Sequence, residues 1–271
     1  METTTAFSSL YEIVGKMHGD LPWGRVLGAG TGRGSLSWLL GLETRRWTAV
    51  TGAQGMADQL RSRFGANLRE QDRLVLGNWM DPELLDGERY DTVLADYLVG
   101  AIDGFAPYWQ DRIFTRLRPL VGRRLYVIGL EPYVPYIPVD AAGRIVCEIG
   151  RLRDACLLLA GERPYREYPM DWILRQLRLA GFKPLDTQRF AIRYGERFIN
   201  SQLDMCDQRL RHLKDRGLAL ALGEHVARLR ERALAMAAAE GGLRHGHDYV
   251  IAAEPDAPQA EPDSGDSFIA A

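Results

Sequence analysis

The stretch Arg25-Val26-Leu27-Gly28-Ala29-Gly30-Thr31-Gly32-Arg33-Gly34-Ser35 decides the fold. A short apolar strand runs into a turn with glycine at every second position, and Leu36, Leu39 and Leu40 then repeat at helical spacing. Glycine in a strand-to-helix turn tolerates positive φ and keeps Cβ atoms away from anything that approaches the backbone. The helix that follows offers unpaired N–H groups at its N-terminus. A phosphate loop needs Lys-Ser/Thr directly after its glycines, and Arg33-Gly34-Ser35 has the wrong spacing. A dinucleotide fingerprint needs GxGxxG, and position 33 is arginine.

Outward from that turn, strands and helices alternate. Residues 47–52, 74–77, 90–95 and 124–130 read as strands, and YDTVLA at 90–95 is the near-continuous apolar run of a strand buried on both faces. Helical spacing marks 7–18, 54–64 and 109–117. This alternation predicts βαβ units and a doubly wound, mostly parallel α/β sheet, with ligands at the C-terminal ends of the strands. Beyond residue 130 the pattern changes. EPYVPYIP at 131–138 cannot form a regular helix. Helices are expected at 144–160 and 170–180, the second closed by Gly181, with a sixth strand at 184–192 and a last one, DYVIAA, at 248–253. Residues 197–239 are helical and Arg-rich. The expected organisation is an N-terminal helix or lid at 1–22 and an α/β domain at 23–196 and 246–254. That domain carries a lid at 131–168, with a helical insertion at 197–245 and a disordered Pro/Asp/Ala/Ser-rich tail at 255–271.

Composition narrows the function. The 271 residues carry 34 Lys and Arg against 36 Asp and Glu, a formal charge of −2, so no basic field is available to hold nucleic acid. A small-molecule substrate is favoured. Cys147, Cys156 and Cys206 are sparse, odd in number and lack CxxC spacing, which fits reduced thiols in a cytoplasmic protein. No zinc-ligand spacing appears, and no metal is expected. His245 and His247 read as a turn entering the last strand in preference to a metal pair. The N-terminus lacks the basic and apolar regions of a signal peptide, and no apolar run is long enough for a membrane helix.

Four further segments lie in order around the glycine turn. They are Thr51-Gly52-Ala53-Gln54-Gly55-Met56, Gly77-Asn78-Trp79-Met80-Asp81, the YDTVLA run, and Leu117-Arg118-Pro119-Leu120-Val121-Gly122 leading into RLYVIGL. Together with GxGxG at Gly28–Gly32, residues 23–130 resemble the class I S-adenosylmethionine (AdoMet)-dependent methyltransferases, and DYVIAAE resembles that family's closing hairpin. The resemblance implies a seven-stranded sheet with helical insertions over its C-terminal edge. It also implies AdoMet held by Gly28, Ala29, Gly30, Gly32, Thr51, Gly52, Met56, Asn78 and Trp79; Asp96, just past the fourth strand, and Glu131, just past the fifth, are each placed to meet the methionine ammonium. Three acids of the family pattern are replaced here, by Gly28, Thr51 and Asn78. Neutral acceptors bind more weakly than charged ones. The site is therefore expected either to hold AdoMet in an altered pose or to have drifted to another ligand.

The acceptor side must come from loops over the same edge. Tyr97, Tyr133 and Tyr11 are candidate catalytic phenols, since a phenol can bond an acceptor and its ring attracts a sulfonium. Glu131, Tyr136, Arg163 and Arg166 are candidate substrate-binding residues, the arginines as a carboxylate clamp. The expected reaction is methyl transfer to a small metabolite, a carboxylate-bearing one among the candidates. The alternatives are cyclisation or aminoalkyl transfer releasing methylthioadenosine, and a binding protein without catalysis. The stripe Leu210, Leu213, Leu218, Leu222, Val226 and Leu229 needs a cover, either the chain's own lid or a second subunit in a homodimer.

Overall fold

Alternation of buried strands and amphipathic helices sets the architecture in a computed structural model that describes residues 6–256. In chain order, α1 (Ala6–His18) precedes β1 (Arg25–Gly28), α2 (Arg33–Leu40), β2 (Arg46–Thr51), α3 (Gln54–Phe64), β3 (Arg73–Leu76) and β4 (Tyr90–Asp96). Next come α4 (Leu98–Ala101), α5 (Ile113–Leu117), β5 (Val121–Leu130), α6 (Ala141–Leu159), α7 (Met170–Leu179) and β6 (Phe182–Tyr194). The helices α8 (Glu196–Leu210) and α9 (Arg216–Glu240) follow, and β7 (Leu243–Pro255) closes the sheet. The seven strands lie in the order β3-β2-β1-β4-β5-β7-β6, with β7 antiparallel to both neighbours and the pairs from β3 to β5 parallel. The tail expected to be disordered lies, from residue 257 on, outside the described residues; Pro255 ends β7 and the Asp256 N–H donates to Gly181 O.

The period of two along each strand explains why these strands are apolar throughout. Val93, Ala95, Leu125, Val127 and Ile251 face α5 and α7, whose Phe114, Leu117, Ile173 and Leu177 complete that layer. Leu94, Tyr126, Ile128 and Val250 face the other way, against Leu10, Tyr11 and Val14 of α1. On that same face α2 and α3 cover Val26, Trp47 and Ala49 with Leu36, Leu39 and Leu60.

A separate core holds the helical insertion. Ile199, Leu203, Cys206, Val226, Leu229 and Ala233 of α8 and α9 pack on Ile145, Val146, Ile149 and Cys156 of α6. Ile192, Tyr194 and Leu243, where β6 ends and β7 begins, anchor this module over the C-terminal edge of the sheet. Of the leucine stripe, Leu210, Val226 and Leu229 are buried there, Leu213 and Leu222 are half-buried, and Leu218 is exposed. The chain's own α6 therefore covers most of the stripe that suggested a second subunit. Asp140 caps α6 through Gly143 N–H, and Asp215 caps α9 through Leu218 N–H. His245 and His247 sit inside β7, which starts earlier than the sequence suggests; His245 Nε2 lies 3.5 Å from Cys147 Sγ. No group of three or more metal-ligating side chains converges among the described residues, and none of their helices is long and apolar enough to cross a membrane.

Candidate active site

The glycine turn is fixed from four directions. Ala29 N–H donates to Leu94 O (2.8 Å) and Thr31 N–H to Val50 O (2.8 Å), tying the turn to the neighbouring strands. The Trp79 indole N–H donates to Ala29 O (2.7 Å), and the Thr31 hydroxyl donates to Gly28 O (3.0 Å). Gly28 itself belongs to the floor. A Cβ there would stand 2.6 Å from Thr31 Oγ1, so the position needs glycine for packing and does not line the cleft. The other residues expected around the cofactor, Ala29, Gly30, Gly32, Thr51, Gly52, Met56, Asn78, Trp79 and Asp96, line one cleft above the turn. At Gly32 the backbone is extended and a Cβ would meet nothing within 4 Å.

Two carboxylates, Asp96 and Asp248, lie on either side of Tyr97. Tyr11 of α1 donates its hydroxyl to Asp96 Oδ2 (2.8 Å), so this phenol braces an acid from behind and lies outside the cleft. Asp96 Oδ1 is buried and has no hydrogen-bond partner among the described residues. Burial pushes the Asp96 carboxyl up to about 6. Tyr97, next along, lines the cleft and donates its hydroxyl to Asp248 Oδ1 (2.7 Å) on β7. Burial likewise pushes Asp248 up to about 6. Tyr97 holds φ +47°, a left-handed conformation that costs a non-glycine residue about 1–2 kcal/mol. Its N–H bond to Ile128 O and its hydroxyl bond to Asp248 hold it there.

A strap formed by α4 and the turn Ile102–Gly104 roofs the cleft. Leu98 lies so close to Gly30 that a Cβ at position 30 would sit 3.1 Å from the Leu98 side chain; side-chain space there belongs to the protein, not to a ligand's path. The Phe105 ring lies over Gly52, 3.1 Å from where a Cβ would be. Asn78 Nδ2 donates to Phe105 O (3.0 Å), a bond the acid of the family pattern could not make. Tyr165, from the long connection after α6, closes the end beside Gly104.

The fold that carries this cleft is shared with known structures. A protein of Bacillus halodurans C-125 assigned as a methyltransferase is 14% identical, over 93% of this chain and 99% of its own, at a TM-score of 0.57. A cyclopropane-fatty-acyl-phospholipid synthase-like protein from Lactobacillus casei ATCC 334 is 10% identical, over 92% and 90%, at 0.58. The mycolic acid cyclopropane synthase CmaA1, in complex with SAH and CTAB, is 14% identical, over 91% and 83%, at 0.52. The chain has the class I methyltransferase fold. No protein-family model and no curated protein sequence matches it.

In this methyltransferase fold a second cavity, of about 460 Å³, opens beside the first, and Tyr165 lines both. Tyr133 and Arg166 line this second space, within the connection expected to act as a lid. Three expected substrate contacts lie elsewhere. Glu131 pairs with Arg189 of β6 (3.1 Å) and accepts from Met170 N–H. Tyr136 is exposed on the outer surface, and its carbonyl accepts from Arg151. Arg163 stacks over the Tyr108 ring, 5.6 Å from its centroid, and does not converge with Arg166. Arg166 faces Asp103 at 3.8 Å, with 66% of its side chain exposed. Arg153, Glu167 and Asp248 enter the picture only through the structure. Arg153 reads as one more charge on an Arg-rich helix, and Glu167 as one more loop acid, so only the tertiary fold singles them out.

Proposed function

We propose that the chain is an AdoMet-dependent enzyme that transfers a methyl group to a small molecule held in the cavity beside the glycine-turn cleft. One observation carries this reading. Asp96 Oδ1 is a buried oxygen that meets no hydrogen-bond partner among the described residues, in a cleft that the side-chain-free Gly32 also lines. A buried carboxylate oxygen left unpaired is costly, and an ammonium group is the natural complement. AdoMet brings such an ammonium, together with a sulfonium that supplies an activated methyl group. Asp96, braced by Tyr11, would hold the ammonium. Thr51 at the end of β2 offers a neutral acceptor for ribose hydroxyls. Met56 and Phe105 supply apolar surface for the base, and the strap tied down by Asn78 keeps water out. Methyl transfer needs proximity and in-line approach above all, and the shared wall at Tyr165 sets the two cavities side by side.

The test is product analysis. Incubation of the full chain with AdoMet and a pool of small metabolites is expected to give S-adenosylhomocysteine and a product heavier by one methyl group. Methylthioadenosine as the sole nucleoside product would contradict methyl transfer.

A further inference from the structure

The second cavity carries one carboxyl that makes no hydrogen bond or ion pair among the described residues, with the Arg153 charge acting on it only from a distance. Its walls are apolar and aromatic, with Pro132, Tyr133, Val134 and Tyr168 among them. Four charged side chains face it: Arg153, Asp154, Arg166 and Glu167. Arg153 is already engaged, with Nε and Nη2 donating to Asp154 Oδ1 (2.8 and 2.6 Å) and Nη1 to Gln202 Oε1 (2.7 Å). Arg166 lies at the mouth beside Asp103. Glu167 remains. Its carboxyl lies against α4, so close to Gly100 that a Cβ there would stand 2.4 Å from Oε2. Asp248, bonded to Tyr97, adds a second negative charge on the side facing the cleft.

We infer that this cavity selects a primary or secondary amine with an apolar or aromatic body, and that Glu167 holds its ammonium and accepts its proton. The inference rests on the proposed function in one respect: an acceptor nitrogen must lose a proton to free its lone pair before methylation. The proton passes from the ammonium nitrogen to the Glu167 carboxylate, leaving a neutral amine and a neutral acid. Burial raises the Glu167 carboxyl to about 7, which suits it to that exchange at neutral pH. A carboxylate-bearing substrate is disfavoured, because Arg153 is already paired with Asp154 and Gln202 and Arg166 is largely exposed beside Asp103.

The experiment is calorimetry on the full chain, with and without saturating S-adenosylhomocysteine. The probes are benzylamine, 2-phenylethylamine and hexylamine, each against the matching alcohol and carboxylate. The expected result is at least tenfold tighter binding of one or more amines. That preference should disappear in Glu167→Gln and in Gly100→Ala, whose methyl group displaces the same carboxyl without lining the cavity. Carboxylates binding as tightly as amines, no binding by any amine, or an amine preference that survives in a folded Glu167→Gln protein would overturn the inference. Heat from S-adenosylhomocysteine reports separately on the cofactor reading. Its absence alongside an intact Glu167-dependent amine preference would sink that reading and leave the amine site standing.

Discussion

At the scale of single residues, the site turns on which polar atoms have partners. Asp96 and Glu131 follow equivalent strands, and the sequence offers both as ligands for the ammonium. Only the neighbouring elements separate them. Arg189 on β6 takes up Glu131, whereas Tyr11 satisfies one oxygen of Asp96 and leaves the other bare. Asp96→Asn is therefore expected to weaken AdoMet binding roughly ten- to a hundredfold, the worth of about 1.5–3 kcal/mol for a hydrogen bond to a charged group. Titration calorimetry would show it, and an unchanged Kd would remove Asp96 from the site. The glycines divide in a way spacing alone cannot reveal. Gly28 and Gly30 are glycine because Thr31 and Leu98 crowd them, while Gly32 is open. The GxGxG turn was legible as a turn, but the neighbour that each glycine accommodates comes from segments far along the chain.

At the scale of elements, the strands and long helices were legible and the short strap after β4 was not. The insertion of α8 and α9 announces itself over more than forty residues of helical sequence, and the apolar run of β4 marks a strand covered on both faces. The strap at α4 is four residues of helix followed by a tight turn, too short for any period to emerge, yet it supplies Leu98 and Phe105 to the roof. Its latch explains one departure from the family pattern. Asn78 donates to Phe105 O, and an aspartate there would set a carboxylate against a carbonyl. Asn78→Asp is expected to loosen the strap, speeding amide hydrogen exchange across residues 98–106 roughly two- to tenfold, as the loss of a neutral hydrogen bond allows. Exchange rates equal to those of the wild type would show that the bond does not hold the strap. The insertion module is expected to behave as ordinary core. Leu203→Ala, at a fully buried position, should cost about 2–5 kcal/mol in denaturant unfolding, and a cost below about 1 kcal/mol would contradict the packing described here.

Across the whole molecule, the interior between the two cavities gathers three acids, Asp96, Glu167 and Asp248. Burial lifts them from ordinary values of 3.8, 4.5 and 3.8 to about 6, about 7 and about 6. Their protonated forms are favoured by folding, so the stability they lend is fully present below about pH 4 and is lost as pH rises through about 6–7. The Tm of the ligand-free protein should accordingly decline between about pH 5 and pH 7.5, and Glu167→Gln should flatten that decline. A Tm that rises across this interval, or a slope that the substitution leaves untouched, would contradict the burial of these acids. Such an interior suits cationic ligands. The overall charge of −2 gave no sign of it, because surface arginines balance the sum while the cavities keep the acids.

The most direct measurement is a calorimetric titration of AdoMet into the full chain and into Gly32→Leu. A Cβ at position 32 meets nothing within 4 Å and the backbone there is extended, so the variant should stay folded while its leucine projects into the cleft. One site in the wild-type protein, with affinity at least tenfold lower in the variant, is the expected result. A folded wild-type chain that takes up no AdoMet, or a variant that binds it equally well, would contradict the placement of the cofactor at the glycine turn.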